Sequence, residues 1–162
     1  MIDGIFPSNK LLSINMNTLR DEINEVISTK KIEGLKFVRM SDWQWVMEKL
    51  AAKFLSHGKR SLDKIWIWDA IKEPYTSYQP KDGIEELKSF LSESDFYWFI
   101  ASDEDGKYWV LEGTGRSIVS VLSETRYFEY YVANKDISWL ICENHHGVMV
   151  IKGSIGSEHK NS

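Results

Sequence analysis

The sequence predicts one α+β domain, with N-terminal helices packed on a mostly antiparallel sheet formed largely by residues 95–153. In the first half, apolar residues recur at helical spacing. In the second, short runs of aromatic and β-branched residues read as strands, in which Phe96, Trp98 and Ile100 point one way and Tyr97, Phe99 and Ala101 the other. Short turn signals, Asp103-Glu104-Asp105-Gly106 and Asn144-His145-His146-Gly147, join these segments, as antiparallel pairing requires. No segment repeats at a fixed period and no linker-like composition divides the 162 residues. A single domain over residues 1–153 follows, with a flexible polar tail at 154–162.

The elements follow in order. "NMNTLRDEINEVISTKK", residues 15–31, sets Leu19, Ile23, Val26 and Ile27 on one helical face. Asn17 or Thr18 can cap it, and Gly34 ends it. Leu35 to Met40 is a short strand. Ser41 or Asp42 then caps a second helix, in which Trp43, Val46, Met47, Leu50, Ala51 and Phe54 form a core stripe and Gly58 is the stop. Residues 64–72 are ambiguous by periodicity, but their β-branched and aromatic content favours a strand. "YTSYQPKDG" reads as a loop, and "IEELKSFLSES" as a third helix with Ile84, Leu87, Phe90 and Leu91 inward. "DFYWFIASDEDGKYWVLEG" is a hairpin in which Gly106 supplies the positive φ. A helix spans 115–124, and strands follow in "YFEYYVAN", "SWLICEN" and "GVMVIKG".

Composition narrows the function classes. A net charge of −4 argues against a protein that coats nucleic acid through general electrostatics. The start, "MIDGIFPSNK", lacks a basic region followed by an apolar run, and no stretch approaches the ~18 apolar residues of a spanning helix, so a cytoplasmic protein is expected. One cysteine excludes an internal disulfide. Seven Trp, seven Tyr and seven Phe make an aromatic load suited to a large core or to an interface. Trp98, Trp109 and Tyr131 lie in the aromatic strands. If helices cover only one sheet face, aromatics on the other would meet a partner protein or a second copy of the chain. If helices cover both faces, the aromatics are core.

The densest chemistry lies in "WLICENHHGVMVIKG", residues 139–153. Cys142, Glu143, His145 and His146 invite a reading as a small hydrolase or nuclease site. In an extended strand, however, Glu143 and His145 share one face while Cys142 and His146 share the other, and adjacent histidines diverge. Two histidines and one thiol fall short of the four ligands of a structural zinc, and no CxxC or HExxH occurs. A thiol in an apolar strand beside a carboxylate also lacks the electropositive setting of a nucleophile. The stretch is therefore read as the polar tip of a hairpin, with no metal and no cofactor implied. "GTGRS" at 113–117 precedes a helix and resembles an anion turn, but without P-loop spacing or lysine it reads as a strand-to-helix connection.

The block from "FYWFIASDEDGKYWVLEG" through "YFEYYVANKDISWLICENHH" resembles small uncharacterised bacterial families among toxin-immunity and antitoxin-like proteins. It is similar, more loosely, to the SUKH immunity superfamily of compact α+β domains. The resemblance implies a cytoplasmic protein that binds another protein and catalyses nothing. The resulting expectation is a non-catalytic module, of the type that neutralises a cognate toxin. Its acidic turn, Asp103, Glu104 and Asp105, would complement a basic partner, with Trp98, Trp109 and Tyr131 as aromatic contacts.

Overall fold

The structure, a computed structural model, describes residues 18–63 and 66–155. The expectations for the chain start and for residues 156–162 lie outside these. Among the described residues, four α-helices, α1 (Leu19–Thr29), α2 (Met40–Phe54), α3 (Gly83–Phe90) and α4 (Gly115–Glu124), accompany seven strands. The strands are β1 (Leu35–Phe37), β2 (Thr76–Tyr78), β3 (Phe96–Ser102), β4 (Tyr108–Thr114), β5 (Glu129–Asn134), β6 (Trp139–Glu143) and β7 (Met149–Gly153). They form one sheet in the order β1-β4-β3-β5-β6-β7-β2, with every neighbouring pair antiparallel. The α+β class holds.

The alternation within the strands builds two cores. Tyr97, Phe99, Leu111, Tyr130, Val132, Trp139 and Ile141 face α1, α3 and α4, meeting Leu19, Ile23, Leu87, Ile118 and Val121. Trp98, Ile100, Val110, Tyr131, Ala133, Leu140 and Cys142 face α2 and the segment after it, meeting Val46, Leu50, Phe54, Ile67 and Ile71. Helices therefore cover both sheet faces, and the aromatic excess is largely core. An exposed aromatic sheet face, offered above to a partner or to a second copy, does not exist among the described residues.

Local chemistry explains the helix ends. The Thr18 hydroxyl accepts the Asp21 amide while the Asp21 carboxylate accepts the Thr18 amide, a reciprocal capping box that starts α1. α2 starts earlier than expected, at Met40. Arg39 holds the cap position with no side-chain bond, and Asp42 falls in the first turn, 3.7 Å from the Arg39 guanidinium. It also ends before Gly58, at Phe54, because Leu55 turns extended to bridge Ile71.

Two expectations are corrected here. The described part of the segment 64–72 is not a strand: it forms a 3-10 helix over Ile67–Ala70. Ile67 and Ala70, three apart, both enter the core, and the Trp68 amide donates to the Tyr131 hydroxyl rather than to a neighbouring strand. The 75–83 loop contains β2, which closes the sheet by pairing Thr76–Tyr78 with Ile151–Met149. Its three residues are too few to show alternation. The β3–β4 hairpin forms as expected, with Gly106 at φ +85° and its amide bonded to the Asp103 carbonyl.

Candidate functional site

At the end of the sheet where β3 stops and β5 begins, an open pocket of about 450 Å³ sinks beside the β6–β7 turn. Its floor is set by strand register. Ser102 on β3 lies directly opposite Glu129 on β5, so the two side chains share one face of the sheet. Glu129 is 2% exposed, and a carboxylate so buried needs partners. Tyr131 Oη donates to its Oε2 at 2.6 Å, and the His145 amide and Nδ1 lie 3.2 and 3.1 Å from its Oε1. An ionised carboxylate only accepts, so His145 Nδ1 carries the proton in this contact. Tyr131 Oη also accepts the Trp68 amide at 3.0 Å, which ties the 3-10 helix to the same network.

Aromatic rings wall the pocket. Trp66 stacks on His145 with ring centroids 4.2 Å apart, and Tyr127 stands at the rim, 55% exposed. The Tyr127 hydroxyl donates to the Asn144 carbonyl, and burial of that hydroxyl, with the Glu143 carboxylate nearby, pushes its pKa up to about 12. Asp103 and Glu104 form an acidic lip. Arg126 is the counter-charge in the lining, and it is drawn toward Glu22: its amide donates to the Glu22 carboxylate at 3.0 Å, with the guanidinium 3.8 Å away.

Of the residues anticipated from sequence, only some meet here. His145 and Asp103 line the pocket with Glu104, while Asp105 lies farther along the turn and faces Lys107. Asp103 is also structural, because its two carboxylate oxygens accept the amides of Glu104 and Leu19. Tyr131 is fully buried, so it is no surface contact, although it supports Glu129 from below. Trp98 is 8% exposed and lies under Lys135, whose ammonium sits 3.4 Å from the ring centroid. Trp109 packs on the opposite side, beneath the Arg20 guanidinium.

The Cys142-Glu143-His145-His146 grouping is split by the pleat. Cys142 is fully buried under α2's side of the sheet, and burial raises its thiol pKa well above the ordinary value, with Glu129 adding to the effect. Glu143 points to the other side, where Tyr130 Oη donates to it at 2.9 Å. Its carboxylate occupies the space that a Cβ at Gly83 would take, and burial raises its pKa. The histidines, in contrast, do not diverge: their rings lie 4.0 Å apart. The chain leaves the extended conformation after Glu143, and the Asn144 side chain closes the turn by accepting the amides of His146 and Val148. Among the described residues, no three His, Cys, Asp or Glu side chains form a set that would hold a metal ion.

Sequence reasoning missed Ser102, Glu129, Tyr127 and Trp66. Glu129 carried a signal, a lone charge within the aromatic run "YFEYYVAN". The "GTGRS" turn is a connection: the Gly115 and Arg116 amides donate to the Asp95 and Glu93 carbonyls, and the Arg116 guanidinium pairs with Glu93 at 2.7 Å.

The sequence pattern of a family of unknown function (DUF6756) matches residues 15–161. The chain belongs to this family. The match spans both helical layers and the whole sheet, so the pocket and its lining fall within the family region. No curated protein and no solved structure matches the chain. Among the described residues, no helix is long and apolar enough to cross a membrane.

Proposed function

We propose that this protein is a non-catalytic binding module that recognises a basic surface on another protein, in the manner of an immunity protein that neutralises a cognate toxin. The observation that carries the reading is the acid-lipped, aromatic-walled pocket beside the exposed Glu104–Asp105 turn. Such a surface attracts a basic partner during encounter and offers a concave site for an anchoring side chain. The buried thiol of Cys142 and the opposed orientation of Glu143 support binding over the rival hydrolase or nuclease reading, because the nucleophile and carboxylate of that reading cannot act on one substrate atom.

The test is a titration of the purified protein with the purified product of the adjacent gene, followed by calorimetry and size-exclusion chromatography. A one-to-one complex whose association rate falls with added salt is the expected result. Absence of any complex at micromolar concentration with the neighbouring products, together with turnover of an ester or nucleic-acid substrate, would replace this reading with the enzymatic one.

A further inference from the structure

We infer that the pocket at the β3–β5 end of the sheet is a receptor for a guanidinium group, presented by an arginine side chain of the partner. This deepens the binding reading above and rests on it for the source of the group, though not for its chemistry.

Ser102 points to a missing ligand. It is 3% exposed, it lines the pocket, and its hydroxyl has no hydrogen-bond partner. Buried hydroxyls are ordinarily satisfied, so an orphan in a pocket floor marks a place where a donor or acceptor from outside fits. The carboxylate beside it sets the sign. Glu129 Oε1 already takes two hydrogen bonds, but Oε2 takes only that from Tyr131 and retains a site for another donor. Ser102 and Glu129 thus place a hydroxyl and a carboxylate on one sheet face, at opposed positions of paired strands. Asp103 and Glu104 at the lip, against Arg126 alone, exclude an anion on charge.

The walls choose among cations. A compact, strongly hydrated ammonium gains little from a flat slot, whereas a planar guanidinium stacks on aromatic faces and presents several in-plane N–H donors. Trp66 and Tyr127 are aromatic side chains in the lining, and Trp66 is held by its ring contact with His145. The volume of about 450 Å³ falls in the range of specific small-ligand sites, roughly 300–1,000 Å³.

The probes are agmatine, the isostere that replaces its guanidinium by an uncharged ureido group and keeps its ammonium, n-butylamine, and the blocked tripeptide acetyl-Gly-Arg-Gly-amide, each titrated by calorimetry into the full chain. Agmatine should bind, the ureido isostere and the amine at least about ten-fold more weakly. Ser102→Ala should weaken agmatine about five-fold or more while leaving the melting temperature of the free protein unchanged or higher. Glu129→Gln should abolish binding, with folding checked separately by circular dichroism. No agmatine binding, equal binding of the ureido isostere, or full affinity in Ser102→Ala would each overturn the inference. Tripeptide binding at least as tight as agmatine supports a protein-borne arginine; agmatine without the tripeptide assigns the pocket to a free small molecule and overturns the partner-borne source. A neighbouring gene product that binds without competing with agmatine would sink this inference and leave the binding-module reading intact.

Discussion

Replacing Tyr131 by Phe should remove two hydrogen bonds at once, and the structure lets the loss be worked out. Tyr131 is fully buried; its hydroxyl accepts the Trp68 amide at 3.0 Å and donates to Glu129 Oε2 at 2.6 Å. The ring packing survives in Phe, so no large cavity opens. An orphaned buried amide costs ~1–3 kcal/mol, and a hydrogen bond to a charged group contributes ~1.5–3 kcal/mol. The two overlap because the surroundings relax, so a net loss of ~2–4 kcal/mol is expected. Urea denaturation with an unchanged m-value is the assay. Tyr130→Phe is the control: its hydroxyl donates to Glu143 on the other sheet face, away from the Trp68 amide. It should lose less, ~1–2 kcal/mol. A loss below about 1 kcal/mol in Tyr131→Phe, or equal losses in the two variants, would refute the idea that the Tyr131 hydroxyl joins the 3-10 helix to the pocket floor.

Leu50→Ala, at a fully buried position on α2, should cost ~2–5 kcal/mol in the same denaturation assay. The Cys142 thiol should resist Ellman's reagent in native protein and react once the chain is unfolded in urea; rapid native reaction would contradict its burial. Because burial raises the pKa of Glu143, its contribution to stability is fully present below the ordinary carboxylate pKa and is lost as pH rises through the raised value. Glu143→Gln should therefore gain on wild type between acidic and neutral pH, and parallel stability profiles would be inconsistent with that shift. Reversing Glu104 and Asp105 to Lys, while keeping Asp103 for its two amide contacts, should slow partner association at low salt and leave the melting temperature nearly unchanged.

The layers were legible because period and burial agree. The alternation that put Tyr97 and Phe99 on one face and Trp98 and Ile100 on the other is the division between the two cores. α4 was readable to the residue, since its start at Gly115 follows a Thr114 cap whose hydroxyl accepts the Ser117 amide. Residues 64–72 were not. A short run of Trp and Ile is apolar whichever way it is wound, and tertiary contacts decide the conformation: Tyr131, 63 positions away, takes the Trp68 amide. The two-sided cover was equally hidden, because a helix stripe shows that a face is buried without showing against which side of a sheet.

The polar stretch at 142–146 shows how the pleat separates residues that are adjacent in the chain. Neighbours along a strand point to opposite faces, so a cluster dense in letters is dispersed by the pleat, and Cys142 and Glu143 end in different cores. Neighbours across strands share a face. Ser102, Glu129 and the turn that carries His145 come together although 27 and 16 positions separate Glu129 from the other two in the chain. Only strand register produces that meeting, and it joins strands that are not consecutive, with β4 and α4 lying between β3 and β5 in the chain. A lone carboxylate inside an aromatic strand was the available signal. Burying Glu129 requires donors, and the sequence contains many; which ones arrive is decided by the Asn144 turn, which swings the His145 amide and ring onto the carboxylate. The same turn keeps His146 against His145. The chemistry of this end of the sheet is therefore a property of the β6–β7 turn and the β3–β5 register together.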